Sequence, residues 1–205
     1  MNRTLITVGI IVVVILGIYM WIRGFNNSMV TKNENTAKMW GNVESQYQRR
    51  FDMYGNLVSV IKGSSDFEKS TLTAVIEARS QATKVTVDAS KLTPESIAQF
   101  QQAQQNLSSS FSKMLLVVEQ YPDIKSTAQY QDFETNIVGT ENRINKARDD
   151  FNAAVQDYNT YIKLFPNSMF AGMFGYSEKG YFKADAGSEK APSTDFKEKS
   201  PEVKQ

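Results

Sequence analysis

The stretch FNAAVQDYNTYIKLFPNSMFAGMFGY, residues 151–176, sets two asparagines seven residues apart and then runs into a proline. Phe151-Asn152 and Tyr158-Asn159 repeat an aromatic–Asn pair at one heptad, so both amides flank the same seam of a single helix. Asn is a mediocre helix former. Its use twice at one phase predicts amides bonded to a partner helix or to backbone; solvated surface residues are the plain alternative. Pro166 ends the helical pattern. Beyond it, Phe170, Phe174, Tyr176, Tyr181 and Phe182 follow in a Gly-punctuated segment. These aromatics are expected to cap an open end of the helical domain or to touch a membrane interface.

Working back from this stretch, apolar residues recur at steps of three and four. A last helix carries Tyr130, Phe133, Ile137, Glu141, Ile144, Arg148, Phe151, Val155, Tyr158, Ile162 and Phe165 on one stripe. Ser126-x-x-Gln129 offers it a capping box. The helix before it holds Ile97, Phe100, Gln104, Leu107, Phe111, Met114 and Val118, and opens with Thr93-Pro94 as N-cap and first helical residue. A shorter one carries Leu72, Val75, Arg79 and Ala82 behind a second box, Ser65-x-x-Glu68. The earliest runs through Trp40, Val43, Tyr47, Phe51, Tyr54, Val58 and Ile61. No useful length alternates with period two. The expected fold is all-α, an antiparallel up-down-up-down four-helix bundle with coiled-coil-like packing.

Before the bundle lie 19 residues between Arg3 and Arg23 without a charge, TLITVGIIVVVILGIYMWI. At ~1.5 Å per residue they span roughly 28 Å, close to the hydrocarbon thickness of a bilayer. Tyr19 and Trp21 stand where interfacial aromatics belong. A cleaved signal peptide would be shorter and end in a small-residue site, which GIYMWIRGFNNSM lacks. The domain reading is a transmembrane anchor and polar hinge (GFNNS) over 1–27, the bundle over 28–182, and a disordered polar tail over 183–205. That tail has five Lys, five acids and almost no large apolar residue. The expected location is the cell (cytoplasmic) membrane. Arg3 and the α-amino group against Arg23, Lys32 and Lys38 favour a cytoplasmic bundle by one charge. A short basic N-terminus also fits the opposite orientation. With this topology the residues after Pro166 are expected at the membrane-proximal end of the bundle.

Composition narrows the chemistry. The chain has 23 Lys and Arg against 22 Asp and Glu, with no His and no Cys. No global charge draws it to nucleic acid, and Tyr47, Phe51 and Tyr54 beside Arg49 and Arg50 read as core packing. Thiol chemistry, Ser-His-Asp arrangements and His-dependent bundle metal sites cannot be built. No P-loop or dinucleotide fingerprint occurs. No catalytic residue, cofactor or metal ion is expected, and a hydrolase working through Glu44 or Glu141 is the remotest reading. Glu44, Arg50, Arg79, Glu141 and Arg148 occupy core-facing phases, which predicts either a register-fixing charge network or a polar site within the bundle.

The segment GTENRINKARDDFNAAVQDYNTYIKLFPNSMFAGMFGY (139–176) resembles the signature of the LemA family. AKMWGNVESQYQRRFDMYGNLV (37–58) and LTAVIEAR (72–79) are similar to that family's earlier blocks, so the likeness covers about residues 28–182. Gly55 and Phe151 depart from the usual Pro and Tyr. The resemblance implies one N-terminal transmembrane helix, a short exterior N-terminus and a helical domain, without naming a reaction. By match to its motifs, the polar positions of interest are Arg49, Arg50, Asn56, Glu77, Arg79, Glu141, Asn142, Arg143, Arg148, Asn152 and Asn159. The expected function is a non-enzymatic, membrane-tethered module that binds an unidentified protein partner or organises the lipid bilayer, with homo-oligomers open. The alternative is a sensory module that binds a small polar or anionic ligand through interior Arg and Glu.

Overall fold

A computed structural model describes residues 3–64 and 67–184. Among the described residues every regular element is helical: α1 (Arg3–Gly63), α2 (Lys69–Lys84), α3 (Pro94–Val118), α4 (Pro122–Lys125), α5 (Ala128–Lys163), α6 (Ser168–Ala171) and a 3-10 turn, Gly172–Phe174. The polar tail read over 183–205 falls outside them from residue 185 onward.

α1 is one continuous helix of 61 residues. The hinge expected at GFNNS does not interrupt it. Gly24 in a helix interior costs about 1 kcal/mol, but the next residue, Phe25, is buried with Met29 against Tyr158, Ile162 and Ala171. Docking of this turn offsets the propensity of its residues. N-terminal to it, the apolar stretch is long enough to cross a bilayer and none of it is buried.

Contacts fix how the long helices run. Lys32 meets Asp157 at 2.7 Å, Arg50 approaches Glu141 at 3.6 Å, and Thr140 lies against Met53, so α1 and α5 are antiparallel. Trp40 packs on Phe100 and Tyr54 on Phe111, so α3 runs with α1. Phe67 before α2 meets Tyr121 after α3, which sets those two in opposite directions. The main core follows the expected stripes closely: Trp40, Val43, Tyr47, Phe51, Tyr54, Val58 and Ile61 are all buried, as is the whole α3 stripe including Gln104. The α5 stripe departs from expectation at Phe165, which is 80% exposed. Glu44 is exposed as well, because the buried phase passes through Val43 and Tyr47.

The helix starts differ in detail. Thr93 caps α3, accepting from the Ser96 N–H, with Pro94 at the first position as expected. For α5 the cap is Thr127, which accepts from the Tyr130 N–H, rather than Ser126. Pro122–Lys125 forms its own helical turn, and Ser126 is used as that turn's C-terminal residue. Glu68 precedes α2 without capping a backbone N–H, although its Oε1 accepts from the Ser70 hydroxyl in the first turn; Ser65 lies outside the described residues.

The continuity of α1 can be measured in this Cys-free chain. Spin labels at Arg23→Cys and Lys38→Cys bracket the former hinge, with fifteen helical residues and about 22 Å between their Cα atoms. Electron–electron resonance should give one narrow distance population. A broad or bimodal distribution would mean that the helix bends there.

Candidate functional site

The two asparagines of α5 hold an extended chain. After the 3-10 turn, residues 176–184 run back along the helices without regular secondary structure. The Asn159 Nδ2 donates to the Lys179 carbonyl and its Oδ1 accepts from the Lys179 N–H, both at 2.9 Å. Asn152 does the same to Phe182, at 3.0 and 2.9 Å. From α3, Gln101 closes the identical pair on Lys183 at 2.9 and 3.1 Å. Each amide thus satisfies both backbone groups of one residue, which fixes its orientation, since a flip would set like against like.

The spacing follows from geometry. Seven helical residues rise about 10.5 Å, and three extended residues cover about 10 Å. Asn152 and Asn159 therefore match Phe182 and Lys179 in antiparallel register. The strap is pinned from its other side by the Gly180 N–H, which donates to the Leu92 carbonyl at 2.8 Å. No side chain fits at Gly180: a Cβ there would lie 2.6 Å from the Pro94 Cα.

Alternation along the strap sends Phe182 into the main core, where it stacks with Trp40 and meets Phe100 and Phe151 edge-on. Phe182 was expected with the membrane-proximal aromatics; Asn152 draws it into the core instead. Tyr181, between the pinned residues, is partly exposed. Phe170 packs on Trp21, while Phe174 and Tyr176 pack on Phe25, so these three sit at the end of the helical body where the apolar segment begins. The Tyr176 hydroxyl donates to the Asn26 Oδ1. Lys179 is buried with its ammonium over the Tyr158 ring at 5.0 Å. Burial pushes the Lys179 amine below its ordinary range. Burial, with Tyr176 alongside, pushes the Tyr158 phenol up to about 12.

A second polar set lies further along α1. Arg50 is 4% exposed; it donates to the Ser108 Oγ at 3.1 Å and the Gln104 Oε1 at 2.7 Å. It also lies over the Tyr47 and Tyr54 rings. Burial raises the Tyr54 phenol, an effect that the Arg50 charge opposes. Arg148 donates to the Lys183 carbonyl at 2.8 Å and lies over Phe182, which joins this set to the strap. Arg50, Glu141 and Arg148 line one cleft.

The other motif positions are elsewhere. Arg49 and Asn56 line a cleft of about 250 Å³ with Asp132 and Asn136. Arg79 lies over Gly55, where an added Cβ would stand 3.0 Å from its guanidinium, so the departure from Pro at this position coincides with a close approach. Glu77, Asn142 and Arg143 are exposed. Gln101, Lys179 and Gly180 were not singled out from the sequence; Gln104 stood as a polar member of an apolar stripe, which was its only signal. Among the described residues no three carboxylates converge as a metal site.

The LemA family model matches residues 39–196. Relatives include magnetosome proteins MamQ 1 and MamQ 2 of Paramagnetospirillum magneticum, each 29% identical over 178 residues, covering 77% of this chain and 64% of theirs. Magnetosome protein MamQ of Magnetospirillum gryphiswaldense is 27% identical over 177 residues, with shares of 76% and 64%. The match thus spans somewhat less than two thirds of the relatives' own length. The chain belongs to the LemA family.

Two substitutions test the clamp. Asn159→Asp replaces the donor facing the Lys179 carbonyl with an oxygen and should destabilise by about 1–3 kcal/mol or more at pH 7. That carboxyl would have a raised pKa in the folded protein. Its folded state therefore binds more protons than the unfolded one, and the deficit relative to wild type should shrink as pH falls through the raised value. Urea midpoints at two pH values measure it; a pH-independent deficit would contradict the paired geometry. Gly180→Ala should lift the strap from Pro94 and speed tryptic cleavage after Lys179.

Proposed function

We propose that this LemA-family chain is a non-enzymatic, membrane-tethered helical module that acts in protein interaction or membrane organisation. On this reading α1, α2, α3 and α5 form an up-down-up-down four-helix bundle carried by one transmembrane segment of the cytoplasmic membrane. The charge count at Arg23, Lys32 and Lys38 favours the cytoplasmic side for the bundle.

The observation that carries the membrane-facing part is the apolar end of the helical body. Leu164 (55% exposed), Phe165 (80%), Met169 (63%) and Met173 (79%) present large apolar side chains to the outside. They belong to the segment whose Phe170 rests on Trp21, the last aromatic of the apolar stretch. Large exposed apolar groups of this kind mark a binding surface, and their position beside the span selects lipid as what covers them. In this arrangement the module stands on the bilayer by an apolar foot as well as by its tether.

The foot can be tested in reconstituted vesicles. An environment-sensitive fluorophore at Met173→Cys should be blue-shifted and quenched by lipid-borne quenchers. The same label at Gln120→Cys, after α3 and beyond the far end of the core, should be neither. Equal behaviour at the two positions would remove the foot from the reading and leave only the tether.

A further inference from the structure

A cleft of about 430 Å³ lies where the strap begins, walled by Asn33 of α1, Lys91 of the loop after α2, Tyr158 of α5, and Tyr176, Glu178 and Lys179 of the returning chain. Two of these side chains end in a polar group with nothing to bond. Lys179 is 5% exposed, and its ammonium has only the face of the Tyr158 ring, at 5.0 Å. Among the described residues no carboxylate stands within ion-pair distance of it. Tyr158 is 2% exposed, and its hydroxyl has no hydrogen-bond partner among those residues. The unpaired Trp40 Nε1, Arg50 Nε and Gln104 Nε2 are sealed inside the protein. The Lys179 and Tyr158 tips are not sealed, and both residues belong to the wall of the cleft.

Asn159 bonds both backbone groups of Lys179 and so keeps its side chain at this wall. A buried ammonium faced only by a ring is poorly compensated for the water it has lost. Burial lowers its amine for that reason. An anion in the cleft would supply the missing partner.

The donors select the anion. An ammonium offers three N–H groups around a point charge and the phenol one O–H; neither is the planar fork that matches the edge of a carboxylate. Tetrahedral phosphate oxygens can meet donors that arrive from α5 and from the strap at separate angles. Lys91 adds a second ammonium at the wall, where its charge also acts on Asp88. The wall's carboxylate, Glu178, is engaged by Lys163 at 2.7 Å. Phe174 and Tyr176, also in the wall, pack on Phe25, just beyond Trp21 and the apolar stretch. The cleft therefore adjoins the depth at which lipid headgroups lie.

We propose that this cleft binds the phosphate of a phospholipid headgroup, with the Lys179 ammonium and the Tyr158 hydroxyl donating to its oxygens. A soluble phosphate ester shares that chemistry. The membrane-tethered reading supplies only the source of the phosphate; the donors stand without it.

The full-length chain, in maltoside micelles that carry no phosphate, is titrated with dihexanoyl phosphatidylglycerol, glycerol 3-phosphate and acetate at constant ionic strength, and thermal unfolding is followed. Phosphatidylglycerol should raise Tm saturably, by roughly 5–10 °C at a hundredfold excess over Kd. Glycerol 3-phosphate should act much less, lacking acyl chains to lie beside the apolar segment. Lys179→Met keeps the stem and the backbone clamp; it should remain folded and lose the response. Tyr158→Phe should weaken binding several-fold. No saturable shift with either phosphate would overturn the site, as would undiminished responses in both variants. Glycerol 3-phosphate acting as strongly as the lipid would overturn the lipid source, and acetate acting as strongly would overturn the ligand class. The lipid is presented here without a bilayer, so none of these outcomes depends on whether Met173 touches one.

Discussion

The architecture depends on amide groups that read backbone. Asn152 and Asn159 each close a two-bond pair with one residue of an extended strap, and Gln101 repeats the device from the neighbouring helix. An extended segment on a helical surface has no strand beside it to satisfy its N–H and C=O groups, and leaving them unpaired in a buried place costs about 1–3 kcal/mol each. Side-chain amides carry the same donor and acceptor as a peptide unit, so they substitute for the missing strand. A heptad on a helix and three residues of extended chain have nearly the same length, which is why two amides one heptad apart suffice.

The clamp in turn completes the hydrophobic interior. Phe182 stacks on Trp40 between Phe100 and Phe151, residues from α1, α3 and α5. The aromatic centre of the helical body is thus closed by a residue outside all of its long helices. Gly180 allows this by bringing backbone against Thr93 and Pro94 where no side chain has room. Arg148 holds the Lys183 carbonyl of the strap and lies over the Phe182 ring, so the polar cleft and the aromatic centre share a wall.

Much of this was legible in the sequence where periodicity is a local property. The α1 and α3 stripes, the Thr93-Pro94 start and the stop at Pro166 follow from spacing and from the chemistry of single residues. The phase of Asn152 and Asn159 announced amide bonding but not its object. A strap that pairs with side chains shows no period-two alternation with a partner strand, so nothing in KGYF marked Phe182 as interior. The unbroken passage of α1 through Gly24 to Ser28 was hidden for a related reason. Local propensity argues for a break, and what overrides it is Phe25 and Met29 docking on residues more than a hundred positions away. The cap at Thr127 was displaced by one residue because Pro122–Lys125 forms a helical turn too short to leave a periodic trace. Arg50 and Gln104 were visible as polar members of apolar stripes, but which of their atoms stay unpaired depends on three helices at once.

One consequence of the unbroken α1 concerns mechanics. From Arg23 to Gly63 the helix extends for about 60 Å, with α5 packed antiparallel along it and α3 aromatics resting on it. A rod of this length is a lever arm: about 10° of lean in the apolar segment carries its far end sideways by about 10 Å. Helix lean responds to the match between apolar length and bilayer thickness. With the helix unbroken at residues 24–28, an angle imposed on the apolar segment is carried into a displacement of the far end of the rod.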